Sequence, residues 1–242
     1  MGNGWRSALW WGGMAWAGLC WGAGVPTVSL NDTGVRLCRD WNGVDSACTG
    51  YTGQDGESGR DVTANDDADG LAGFSFARMC NSGVLAGSGA CPASPVLGPA
   101  KTDWGCTRDK RSGLVWEVKV KDGGLRDMSH VYTNYGDGRS GDASALVAAV
   151  NTAGLCASKT WRLPTRQELQ SLFDYGIPEP GPTVDPAFLP NLFNGAYWTS
   201  DSVAGATDTQ AWSAGFYGGY VSSAARSSLY RVLLVRGTNL GL

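Results

Sequence analysis

Four sets of residues in this 242-residue chain have the types and spacing for chemistry or recognition. The first is Asn65, Asp67 and Asp69, which place oxygen ligands at alternate positions ahead of Gly70, as a calcium loop opens. An EF-hand would close that loop with a bidentate Glu at its twelfth position, and Phe76 stands there instead. The spacing therefore predicts a calcium site of another kind, with an Asx-rich turn bonded to its own backbone as the structural alternative. Calcium is the one cofactor the residues suggest.

Cysteine is the second set. Seven are present, and Cys20 falls in an apolar leader, which leaves Cys38, Cys48, Cys80, Cys91, Cys106 and Cys156. Six cysteines admit fifteen pairings. Short spacing favours Cys38 with Cys48 and Cys80 with Cys91, leaving Cys106 with Cys156. There is no Cys-x-x-Cys, and His130 is the single histidine, so zinc chemistry lacks its ligands.

His130 is also the only base a Ser-His-Asp arrangement could use, and no Gly-x-Ser-x-Gly elbow accompanies it. Walker-type and dinucleotide-binding glycine loops are absent. No catalytic residue is assigned, and the sequence predicts a protein that is not an enzyme.

The third set is Ser213 to Tyr230, which contains no Lys, Glu, Gln, Met or Trp. Tyrosine supplies rigid amphipathic area, while serine and glycine supply adaptable contacts. Tyr217, Tyr220, Ser222, Ser223, Arg226, Ser227, Ser228 and Tyr230 are expected to present one contiguous binding face for a protein or glycan ligand. A plain Gly/Ser-rich hairpin loop is the alternative. The fourth set is basic: Lys101, Arg108, Lys110, Arg111, Lys119, Lys121 and Arg126. It could hold a sulfated polysaccharide, or form a charged hairpin face in water. The formal net charge of −3 leaves no electrostatic footprint for nucleic acid.

The elements that must position these residues are partly visible. Thr165 and Glu168 form a capping box, with Leu169, Leu172 and Phe173 on one helical face and Gly176 as its stop. A second helix is predicted over Ala145 to Thr152, capped by Ser144 or Asp142 and ended by Gly154. Trp104 to Arg108 and Gly113 to Val120 read as a hairpin, Leu114, Trp116 and Val118 marking its more apolar face. Strands follow at about Ala196 to Ser200, Ala211 to Tyr217 and Tyr230 to Gly237, after an irregular crossing marked by five prolines.

Residues 1–24 read as a secretory signal peptide, with Arg6 before an apolar run shorter than the ~20 residues of a membrane span. A secreted, periplasmic or cell-surface location is expected. Residues 25–100 are rich in Gly and Asp, which predicts short strands and loops stapled by disulfides rather than helices. Ser94 to Ala100 reads as a linker into a domain over residues 101–242.

The ordered pieces Cys106-Thr107-Arg108-Asp109, Gly113-Leu114-Val115-Trp116-Glu117-Val118-Lys119, Trp161-Arg162-Leu163-Pro164-Thr165-Arg166, Tyr197-Trp198-Thr199-Ser200, Ala211-Trp212 and Leu234-Val235-Arg236-Gly237 resemble the Lcl C-terminal domain family. The resemblance covers about residues 100–237. It extends upstream through Gly53-Gln54-Asp55, Gly59-Arg60-Asp61, the Asn65 to Gly70 stretch and Gly73 to Phe76. It implies an α+β, C-type-lectin-like domain with two helices and a terminal antiparallel sheet, preceded by the Gly/Asp-rich disulfide-stapled segment. It also implies a secreted binding role, the Cys106–Cys156 pairing, and mostly buried side chains for Trp161, Trp198 and Trp212, while the strand-end position of Arg236 beside an apolar run predicts a structural, hydrogen-bonded anchor. Some relatives are variable proteins of diversity-generating retroelements, and the pyrimidine-ending codon set of Ser213 to Tyr230 fits adenine-directed change. A remote cousin of the fold, the formylglycine-generating type, supplies the alternative of a redox enzyme.

Overall fold

The computed structural model describes Met1 and residues 31–63 and 67–237. The expected signal peptide beyond Met1, Asn65, and the side chain of Asp67 lie outside the described residues. The strands are β1 (Cys38–Arg39), β2 (Asp45–Ser46), β3 (Phe76–Cys80), β4 (Trp104–Asp109), β5 (Val115–Glu117), β6 (Ala196–Ser202), β7 (Gln210–Gly215), β8 (Tyr220–Ala225) and β9 (Val235–Arg236). The helices are α1 (Asp55–Ser58), α2 (Arg60–Thr63), α3 (Ala143–Ala153) and α4 (Arg166–Gln170). This is an α+β chain of antiparallel sheets, ordered β1-β2, β3-β4-β5-β9 and β6-β7-β8.

Both long-read helices start where their caps require. Asp142 accepts from Ser144 N at 3.0 Å, and Gly154 ends α3 in the left-handed region at φ 70°. At α4 the Glu168 amide donates to Thr165 Oγ1 at 3.2 Å while Thr165 N donates to Glu168 Oε2 at 2.8 Å. Arg162 then grips both oxygens of the buried Glu168 at 2.7 Å each. α4 stops at Gln170, well before Gly176, because the following amides tighten to i−3 carbonyls, Leu172 N on Leu169 at 3.2 Å and Phe173 N on Gln170 at 3.0 Å, before the Asp174 amide leaves for the Thr183 carbonyl at 3.0 Å. Leu172 and Phe173 are buried all the same.

The three disulfides are Cys38–Cys48, Cys80–Cys91 and Cys106–Cys156. The N-terminal segment departs from expectation in two ways. It carries the one-turn helices α1 and α2, separated at Gly59, where only strands and loops were expected. It also supplies β3 as the edge of the four-stranded sheet, pairing Ala77 with Arg108 and Arg78 with Thr107. Ser94 to Ala100 therefore connects two strands of one sheet, and residue 100 does not separate two cores.

Two apolar clusters lie on opposite sides of the strands. One contains Trp116, Tyr197, Phe216 and Leu233, and the other contains Val115, Trp198, Val232 and Leu234. Alternate residues of β5, of β6 and of the closing run Val232 to Val235 thus enter different cores. That arrangement explains why both faces of β5 are buried, where the alternation predicted one polar face. Trp161 and Trp198 are buried, and Trp212 is less enclosed but still mostly buried, with the Arg166 guanidinium 4.9 Å over its ring. Arg236 differs. Its guanidinium lies 5.7 Å from the Trp161 ring, Nη2 reaches the Met79 sulfur at 3.4 Å, and its Nε is buried without a partner.

Candidate functional site

β7 and β8 are joined by a turn through Gly218 and Gly219, at φ 65° and 68°, a conformation that glycine adopts without strain. Glycine is required here for space as well. A Cβ on Gly215 would lie 2.4 Å from the Tyr220 ring, and one on Gly219 would lie 2.4 Å from the Tyr175 ring. Backbone is thereby kept flat beneath two aromatic rings. Tyr175 Oη donates to the Gly219 carbonyl at 3.1 Å, which fixes its ring against the turn. Tyr217 stands on the other side, its backbone bridged to Pro182. The hydrogen-bonded Glu179 carboxylate holds its phenol above the usual range.

Tyr175, Tyr217 and Tyr220 are 46%, 45% and 43% exposed, so each ring is anchored yet offers one side to solvent. Tyr175 also lines a cleft of about 660 Å³ formed with Val35, Leu37, Leu71 and Ile177. Burial raises the Tyr175 phenol above its usual value. The hairpin tip and the cleft therefore share a residue. Sequence reasoning missed Tyr175 because it lies well upstream of Ser213 to Tyr230, and only the crossing of the chain brings it to Gly219.

The remaining expected binding residues are not gathered on one face. Register puts Tyr220 and Ser222 on one side of β8 and Ser223 on the other, because neighbours in a strand alternate. Ser222 is half-buried against the Ser213 hydroxyl at 3.3 Å, whereas Ser223 and Ser227 are exposed. Ser228 is half-buried in a turn and donates its amide to the Ala225 carbonyl at 2.8 Å. Arg226 is a clamp rather than a contact residue. Its guanidinium donates to the Thr207 carbonyl at 2.8 Å, to Ser202 Oγ at 2.7 Å and to the Asn134 carbonyl. Tyr230 is half-buried, with its ring centroid 4.7 Å from that of Trp198.

The other candidate groups are dispersed. Asp69, the described carboxylate of the calcium motif, accepts from Lys110 Nζ at 2.7 Å and from Ser75 Oγ at 2.6 Å. Those donors hold it below the usual carboxylate range although burial acts against its charge. Of the basic set, Lys119 is buried on Glu117, and the half-buried Arg126 donates to the Gly105 and Val118 carbonyls at 2.9 Å. Lys101, Arg108, Lys110 and Lys121 remain exposed. His130 stands 3.4 Å from the Tyr132 hydroxyl. Among the described residues no helix is long and apolar enough to cross a membrane.

Residues 105–236 match the model of the Lcl C-terminal domain, which is more than half of the chain. No curated protein matches the sequence.

Proposed function

The chain belongs to the Lcl C-terminal domain family, and on that footing we propose that it is an exported or surface-displayed binding protein of C-type-lectin-like kind. Its binding surface is the tip of the β7–β8 hairpin. The observation that carries this reading is the group of three half-exposed tyrosines, 175, 217 and 220, seated on a glycine-cleared turn. Fixed aromatic rings with one free side bind a protein or glycan surface at little cost in conformational entropy.

Three disulfides support an oxidising compartment. The pairing of Cys106 with Cys156 supports a non-catalytic role, since a formylglycine-type reaction needs a free thiolate. Within the segment suited to adenine-directed diversification, Tyr217, Tyr220, Ser223 and Ser227 are the exposed positions at which variation would alter ligand choice without touching a core.

The test is binding of the folded protein to arrays of glycans and surface proteins, alongside Tyr217→Ser/Tyr220→Ser and Tyr175→Ala variants. The variants should lose or exchange ligands at unchanged fold. Ligand binding indifferent to all three tyrosines would overturn the assignment. Diversification has its own test: strain-to-strain adenine-directed differences at the coding positions, near a reverse transcriptase. An unvarying segment without such a neighbour would remove it.

A further inference from the structure

Asp61 is 7% exposed, and its Oδ1 is buried without a hydrogen-bond partner. An unmet polar atom of this kind is costly, and more so for a charged group. What faces it is also negative. Asp32 Oδ2 accepts the Asp61 amide at 2.9 Å, which brings the two carboxylates side by side. The point where a Gly59 Cβ would stand is 2.5 Å from Asp61 Oδ1, 2.9 Å from Asp32 Oδ2 and 3.0 Å from the Asp55 carbonyl oxygen. Three oxygens therefore converge beside a residue that has no side chain. Gly73 closes the other flank, since its Cβ would lie 3.1 Å from Asp32 Oδ2.

Burial first, and then the charges of Asp32 and Asp55, push the Asp61 carboxyl above its usual range, with the Val62 backbone amide and the Arg36 charge opposing them. The Asp55 carboxylate is held aside by the Thr33 hydroxyl, so Asp55 offers its backbone oxygen here rather than its side chain. Among the described residues no three acidic, histidine or cysteine side chains form a metal-holding group, and this cluster is of a different composition. It has two carboxylates and one carbonyl.

We propose that Asp61 Oδ1, Asp32 Oδ2 and the Asp55 carbonyl are the protein ligands of a hard divalent cation of calcium type, with water completing its shell. All donors are oxygen, and the cation supplies the positive charge that the buried carboxylate lacks. It also joins residues 29 positions apart in sequence. Asp32 directly precedes Thr33, whose carbonyl accepts the Tyr175 amide at 2.8 Å, and Gly34, which lines the cleft. The cation thus fastens the wall against which Tyr175 rests.

The test is thermal unfolding of the disulfide-intact protein in EDTA and in a calcium chloride titration. Wild type should show a saturable rise of several degrees with calcium. Asp61→Asn and Gly59→Ala should abolish that rise, whereas Asp69→Asn should keep it. Asp61→Asn in EDTA should melt no lower than wild type, which shows that the variant folds. An absent calcium response in wild type overturns the proposal, as does a full response in Asp61→Asn. A response lost in Asp69→Asn but kept in Asp61→Asn assigns the ion to the Asn65 to Asp69 motif instead.

Discussion

Lys119 donates its ammonium to the Glu117 carboxylate at 2.9 Å with both side chains almost wholly withdrawn from solvent. The other Glu117 oxygen accepts the Leu234 amide at 2.9 Å, so the pair ties β5 to the closing run of the chain. Neither charge can be removed alone without leaving its partner stranded in the interior.

From this follows a prediction about the pair. Lys119→Ala should cost about 3–5 kcal/mol, because an uncompensated carboxylate remains buried. Replacing both by apolar residues of similar volume should cost much less than the sum of the single changes. Denaturant unfolding of the two singles and the double measures this, and additive losses would refute a buried, mutually dependent pair.

The Asp142 carboxylate anchors the start of α3 and the loop before it. Burial opposes its charge, but hydrogen bonds from the Ser144 side chain and amide, the Tyr135 amide and the Thr133 hydroxyl hold it below the usual carboxylate range. An acid lowered on folding contributes stability above its unfolded pKa and loses it as pH falls through the folded value. Asp142→Ala should therefore cost at least the ~0.5–2 kcal/mol of an N-cap at neutral pH. The gap between variant and wild-type melting temperatures should close below about pH 4. A gap that stays constant down to pH 2 would show that the charge plays no part.

Much of this architecture could be read locally, and the remainder could not for a physical reason. Thr165 with Glu168 and Asp142 with Gly154 are short-range signals, and both helices form there. Tyr220 to Ala225, in contrast, ends in Ser-Ser-Ala-Ala, which carries little strand preference, and it forms a strand by pairing with β7. The alternation around Glu117 suggested a wet face because sequence cannot show that a second core waits on that side. The convergence of Asp32 on Asp61, like that of Tyr175 on Gly219, depends on chain crossings that no local pattern encodes.

The tryptophans separate by the same logic. Trp161 is only 2% exposed and donates Nε1 to the Leu155 carbonyl at 3.0 Å. Trp161→Ala should cost about 3–5 kcal/mol. Trp212, less completely buried beneath Arg166, should cost less on the same change. Equal losses in melting temperature would contradict the difference in burial.

The sharpest division lies within Ser213 to Tyr230, where recognition and scaffolding are interleaved. Tyr217 and Tyr220 project from the turn, and their rings are not enclosed by either core. Tyr217→Ser with Tyr220→Ser should therefore change stability by no more than about 1 kcal/mol, as exposed substitutions do. Arg226 looks equally suited to a binding face by composition, yet its guanidinium links residues 134, 202 and 207. Arg226→Ala removes three hydrogen bonds, of which only the one to the Asn134 carbonyl is partly buried, and should cost about 1 kcal/mol. Thermal melts of the two variants, read beside ligand binding, distinguish the roles. The tyrosine variant should keep its fold and alter binding, while the arginine variant should melt earlier. If Arg226→Ala left the melt unchanged and abolished binding, Arg226 would belong to the recognition surface and the clamp assignment would fail.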